Sequence, residues 1–293
     1  MKTQWIFVVA CLILCMCCIT AFASKAPAGL LIWFDTPASV FTQSLPLGNG
    51  RLGAMVFGGV DQEHIILNEG TLWSGSHQDA DRPDAAEYLP QIRRLLLEGK
   101  NVEAEKLVYS HFTSRGPGSA RGSGKDAQYG SYQTLGSLKL SFPAGAPDAG
   151  TYRRELDVTT AVASVSYRQS GVGFRREVFV SAPDQAIIMR LTADKPGALN
   201  FDAKLDRPER FAVTLDGSNG LLMNGQLNNG SDGKGMKYAT RLRIVNHGGQ
   251  VSAVGDAVQV KGANEAIVFI TAATDYQGFA GRRTSDPAAA SKA

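Results

Sequence analysis

The sequence predicts a mainly β protein, an antiparallel sandwich with a short helical insertion near residues 84–110. Three observations point there. From Tyr132 onward, apolar and polar residues alternate with a period of two over stretch after stretch. Clusters of Gly, Asn, Asp and Ser separate those stretches at the roughly 8–12-residue spacing of a sandwich. Only residues 83–110 place apolar side chains at helical spacing. Of 293 residues, 44% are hydrophobic and 19% charged, too apolar a chain to be disordered. The net charge of +3 is no electrostatic footprint for nucleic acid.

The first element reads as a leader. Met1-Lys2, an apolar run from Trp5 to Ile19 and Ala21-Phe22-Ala23 follow the order of a secretory signal peptide, residues 1–23, cut near Ala23. The expected destination is the periplasm or the outside of the cell. The run is short for a membrane span. Cys11, Cys15, Cys17 and Cys18 all fall inside it. A chain cut there has no cysteine, hence no disulfide, thiolate metal site or cysteine nucleophile, and its core alone must hold it.

The sandwich is expected over residues 24–280. Residues 51–57 and 62–67 read as strands around the turn Gly58-Gly59-Val60-Asp61, whereas Ser44-Leu45-Pro46-Leu47 is a poor strand. Pro83-Asp84 opens a helix whose Leu89, Ile92, Leu95 and Leu96 recur at helical spacing, and Gly99 closes it. Asn101 is placed to cap a second helix. The pair is expected to lie on a sheet as an amphipathic layer. Residues 114–130 form a loop with nothing to pack a core, a length that usually marks function or disorder. Alternation then predicts strands at 137–142, 152–158, 162–167, 174–180, 185–191, 198–205, 238–245 and 266–271. Turn clusters stand at 170–173, 216–220, 228–230 and 247–249. Asp286-Pro287 opens one more helix, with Asp at the cap and Pro in the first turn, so residues 281–293 read as a chain cut off where its next element begins.

Motifs narrow the chemistry. Gly48-Asn49-Gly50-Arg51-Leu52-Gly53 fits G-x-G-x-x-G, with Glu69 at the distance of a ribose ligand. No helix has room to follow, so a dinucleotide is excluded and the glycines read as a tight turn. His64, His77, His111 and His247 stand at no ligand spacing, and Asp79, Asp81 and Asp84 lack the glycine and closing glutamate of a calcium loop. No metal and no cofactor is expected. No G-x-S-x-G appears. Asn229-Gly230-Ser231 has the form of a glycosylation sequon. Asp61 and Glu63 flank a hairpin and are expected in solvent. Asn68, Glu69 and Trp73 combine the amide, carboxylate and aromatic ring that line sugar sites. In the plainer reading Asn68 and Glu69 hold a loop by hydrogen bonds while Trp73 fills a domain interface. Glycoside hydrolysis needs two opposed carboxyl groups, and no credible pair stands out.

Two long blocks carry a resemblance. Leu45-Pro46-Leu47-Gly48-Asn49-Gly50-Arg51-Leu52-Gly53-Ala54-Met55-Val56-Phe57-Gly58-Gly59 and Ile66-Leu67-Asn68-Glu69-Gly70-Thr71-Leu72-Trp73-Ser74-Gly75 resemble the opening of glycoside hydrolase family 95, mostly α-L-fucosidases. The likeness continues through Tyr132-Gln133-Thr134-Leu135-Gly136, Tyr152-Arg153-Arg154-Glu155-Leu156-Asp157 and Arg176-Glu177-Val178-Phe179-Val180-Ser181 to Ala272-Ala273-Thr274-Asp275-Tyr276. Gly70 departs from it, since the family commonly has Asp there. The resemblance implies an N-terminal β-supersandwich, followed after a helical linker by an (α/α) barrel that performs inverting hydrolysis. No segment here matches that barrel. The resemblance therefore implies no catalytic residue in this chain, which alone is expected to be inactive. It implies a fucosylated oligosaccharide, a plant or host glycan, as partner through the barrel, with the sandwich packed on that barrel. The sugar, fucose or galactose, stays open. Asn68, Glu69, Trp73 and the 114–130 loop become candidates for a substrate rim or an interdomain contact. The alternative is a free-standing, non-catalytic carbohydrate-binding sandwich.

Overall fold

The computed structural model describes residues 29–75, 81–113, 130–278 and 286–292. The leader, residues 114–129 of the expected loop, His77, Asp79 and residues 279–285 lie outside them.

The described strands are, in order, β1 (Leu31–Phe34), β2 (Leu45–Gly48), β3 (Leu52–Val56), β4 (Gln62–Glu69), β5 (Gly136–Ser141) and β6 (Arg153–Asp157). There follow β7 (Val162–Gln169), β8 (Val172–Ser181), β9 (Ala186–Ala193), β10 (Leu199–Asp206), β11 (Phe211–Leu215) and β12 (Gly220–Gln226). The last are β13 (Lys237–His247), β14 (Gln250–Val254), β15 (Ala257–Ala263) and β16 (Glu265–Thr274). They form a nine-stranded sheet, ordered β1-β6-β7-β8-β9-β16-β13-β12-β11, and a seven-stranded sheet, ordered β14-β15-β10-β5-β4-β3-β2. Neighbours pair antiparallel throughout, as between Val245 and Ile267 or Ile65 and Leu138. The predicted antiparallel sandwich is the observed fold.

Period-two alternation explains the packing, because successive side chains in a strand point to opposite faces. Leu52, Val56, Ile65, Leu67, Leu138 and Leu140 of the smaller sheet meet Val178, Met189, Leu191, Leu242, Ile244 and Val268 of the larger in one buried cluster. Residues 58–61 form the predicted turn. A Cβ at Gly59 would lie 1.8 Å from the Gln62 carbonyl oxygen, so only glycine fits there.

Several expectations need correction. Leu45 to Gly48 is a strand after all, since Pro46 sits on the outermost strand, where a missing N–H costs no ladder bond. Strands β11, β12 and β14 border turns the sequence marks and β15 borders none, yet none of the four is among the expected strands; β11 is largely exposed and β12 (GLLMNGQ) has no alternation to find. The helices form as α1 (Ala85–Leu97) and α2 (Asn101–His111). Asn101 is the first helical residue; Lys100 occupies the cap position and makes no side-chain cap bond. The pair packs mainly on itself rather than on a sheet, and only Ile92 and Ala104 are buried. The last turn, α3 (Pro287–Ala290), has Asp286 Oδ1 accepting from the Ala288 N–H at 2.9 Å. It seats on β13 and β16 through Arg241 Nη2 to the Ala288 oxygen (3.0 Å) and Thr271 Oγ1 to the Ser291 oxygen (2.5 Å).

Candidate functional site

Strand β4 divides the candidate residues by its own alternation. Glu63, Ile65, Leu67 and Glu69 face the core, and His64, Ile66 and Asn68 face outward. Asn68 and Glu69, adjacent in sequence, therefore serve opposite sides of one sheet.

Glu69 is 2% exposed. Its Oε2 accepts from the Thr71 N–H at 2.8 Å and from Thr71 Oγ1 at 2.6 Å. Arg51 Nη1 lies 3.4 Å from Oε1 and also donates to the Ala272 oxygen at 2.9 Å. Arg51 Nε donates to Gln185 Oε1 at 2.6 Å, and the Thr71 and Thr274 hydroxyls are 2.6 Å apart. Arg51, Glu69 and Thr71 belong to the seven-stranded side, and Gln185, Ala272 and Thr274 to the nine-stranded side. Arg51 and Thr71, both held by the carboxylate, thus tie the two layers together at one end of the sandwich. Ahead of it, Asn49 Oδ1 accepts from the Arg51 and Leu52 N–H groups, which makes residues 48–53 the tight turn the glycines predict.

Outward, the tyrosine hydroxyl of Tyr132 donates to Asn68 Oδ1. Tyr132 and Trp73 form an isolated bridge, and their rings meet edge to face at 5.6 Å and 76°. Trp73 Nε1 donates to the Gly70 oxygen at 3.4 Å. Both rings nonetheless remain open to solvent, 47% and 40% exposed. Burial raises the Tyr132 pKa above its ordinary value, the bond to Asn68 lowers it, and the Glu69 charge raises it. Gly70 has room for a side chain, since a Cβ there would meet its nearest neighbour, the Arg51 oxygen, at 3.4 Å.

Glu63, expected in solvent, is buried at 1% exposure because it occupies an inward position of β4. Arg176 meets it there: Nη1 lies 3.2 Å from Glu63 Oε2, and Nη2 donates to Tyr167 Oη at 2.7 Å and to the Val60 oxygen at 2.8 Å. The guanidinium stacks 3.9 Å above the Phe142 ring. Burial raises the Glu63 pKa above the ordinary carboxylate value, while Arg176 and the Gly58 and His64 N–H groups pull it down. Asp61 accepts from the Gly145 N–H at 3.1 Å. The Asn229 amide of the sequon closes its own loop, with Nδ2 donating to Asp232 Oδ1 at 2.6 Å.

The candidates therefore separate. Asn68 and Trp73 stand together with Tyr132, and Glu69 stands apart, holding part of the tie between sheets. The contacts of Tyr132 with Asn68, Arg51 with Gln185 and Thr71 with Thr274 escape any reading of local spacing, because these partners lie 64, 134 and 203 positions apart. A cavity of about 940 Å³ opens on the outer face of the nine-stranded sheet, lined by Ile188, Phe269, Arg241, Arg243 and Lys292 among others. It shares no residue with the aromatic pair.

Known proteins resemble this chain. A family model described as glycosyl hydrolase family 65, N-terminal domain, matches residues 32–279. "Alpha-L-fucosidase 2" of Arabidopsis thaliana is 34% identical over 275 residues, which are 85% of this chain and 31% of that protein. "Probable alpha-fucosidase A" of Aspergillus niger is 31% identical over 184 residues, 59% of this chain and 21% of its own. A solved structure titled "Putative kojibiose phosphorylase from human microbiome" overlaps 85% of this chain and 33% of its own at 10% identity, with a TM-score of 0.39, too slight a likeness to bear on the fold. The chain thus spans about a third or less of the length of the curated relatives it matches.

Proposed function

The chain belongs to the glycosyl hydrolase family 65 N-terminal domain family, as a fucosidase-like N-terminal domain of the family 95 kind, and on that premise we propose that it is the sandwich domain of an exported α-L-fucosidase-type hydrolase. The whole protein would remove terminal α-L-fucosides from glycans by inversion. Its acid and water-activating groups would lie in a helical barrel to which this sandwich attaches.

The observation that carries this reading is what the carboxylates do. Inverting hydrolysis needs two carboxyl groups facing each other across a substrate, with room for a water between them. Among the described residues the buried acids are Glu63, Glu69 and Asp275, at 1%, 2% and 3% exposure. Glu63 holds Arg176, Glu69 holds Thr71 and Arg51, and Asp275 Oδ1 accepts from the Lys237 N–H at 3.1 Å. Glu63 and Glu69 also lie six residues apart on one strand, about 20 Å at the ordinary rise. Acids so enclosed and so spaced are structural.

The purified 293-residue chain should release no nitrophenol from nitrophenyl α-L-fucoside. Turnover that survives stringent purification would refute the placement of the chemistry outside this domain. Export is checked separately. Amino-terminal sequencing of protein recovered from periplasm or medium should begin at residue 24, and an intact leader on all of the protein would contradict it.

A further inference from the structure

We infer that Trp73, Tyr132 and Asn68 form a carbohydrate-binding platform on the outer face of the seven-stranded sheet, shaped for an uncharged pyranose ring. The inference rests on the glycan-processing reading for the choice of a sugar, and on geometry for the rest.

Two exposed aromatic rings side by side are unusual unless something uses them. Here their polar handles are already consumed. Trp73 Nε1 is turned to the Gly70 oxygen and Tyr132 Oη to Asn68. What remains outward is the hydrocarbon of the rings, held in place by the bridge between residues 73 and 132. Rings fixed before a ligand arrives lose little freedom on binding it, and aromatic side chains are the usual anchors of a binding surface.

The floor beside the rings is bare. Across β2, β3 and β4 the register aligns Gly48 with Gly53 and Gly53 with Asn68, so two glycines leave a shelf without side chains next to the amide. The shelf is close-fitting, since a Cβ on Gly53 would lie 3.3 Å from Asn68 Cβ. The Asn68 carboxamide offers one end to Tyr132 and leaves the other for a ligand hydroxyl. Glu69, the acid next to it, points to the other side of the sheet. An apolar wall, a bare shelf and one amide suit the face and edge of a neutral sugar.

Titration calorimetry of the full chain with fucosyllactose, lactose and free L-fucose tests this. Trp73→Ala should weaken binding roughly tenfold or more, while Trp73→Phe stays within about threefold. Gly53→Val, which puts a side chain on the shelf against Asn68, should also abolish binding. Trp33→Phe, a change at an exposed tryptophan elsewhere, should leave it intact. Melting curves verify that each variant is folded. Equal binding of lactose and fucosyllactose still supports the platform, and shows that fucose is not the ring it holds. Binding unchanged by both Trp73→Ala and Gly53→Val overturns the platform and leaves the fucosidase-like reading standing. Failure of all three sugars to bind overturns it as well.

Discussion

At Glu63 the position and the chemistry of the side chain pull in opposite directions. Alternation along β4 sends it inward, where a carboxylate is costly, and Arg176 answers from β8. A buried pair of this kind adds little over an apolar pair of the same shape, but losing one partner strands the other charge. Arg176→Met should therefore cost about 3–5 kcal/mol in urea unfolding. Glu63→Leu combined with Arg176→Met should recover a good part of that loss, and a double variant as unstable as the two singles summed would show the groups to be uncoupled. His64, on the outward face of the same strand, behaves differently. Its Nε2 lies 2.9 Å from Ser137 Oγ and its ring 4.8 Å from that of Phe57. Burial and the nearby Lys139 lower its pKa below 6.5, and Asp206 raises it. The folded protein thus prefers the neutral ring. Stability from this group is present above pH 6.5 and is lost as pH falls through the depressed folded value. His64→Gln should flatten thermal stability against pH across that window, and an unchanged slope would exclude His64 as its source.

Among the elements, β1 is the least protected. It pairs only with β6, at the end of the nine-stranded sheet, and Leu31, Ile32, Trp33 and Phe34 are 37–55% exposed. Arg153 covers part of Trp33 from 4.6 Å. A free edge with apolar side chains on both faces invites pairing with another chain. Ile32→Lys should lower self-association measured by sedimentation while leaving the melting temperature within a few degrees. Equal association of the variant would place the sticky surface elsewhere, for which α1 and α2 offer Leu97 and Val102, 90% and 62% exposed. Those helices were legible as helices because their spacing is local. Their resting place was not, since an apolar stripe states that something must cover it without stating what. Pro46 hides strand β2, and two glycines and two amides hide β12. Each is held by a neighbouring strand rather than by its own pattern.

Over the whole molecule, two sheets enclose the main core, and buried polar ties join them, Arg51 to Ala272 and Thr71 to Thr274 at one end and Glu63 to Arg176 elsewhere. The loop that carries Trp73 leaves from the tie at Thr71, so the aromatic pair is mounted on the junction between layers rather than on a free loop. By itself the sequence determined the antiparallel class, most of the strands, the tight turn at residues 48–53 and the family likeness. All of these rest on periodicities and blocks that lie within a few residues of one another. Only the tertiary structure decided that the inward Glu69 holds part of a tie between the layers, and that Tyr132 meets Asn68 and completes the pair with Trp73. Those outcomes depend on contacts between residues 59 to 203 positions apart, and no local pattern encodes which distant side chain will meet which.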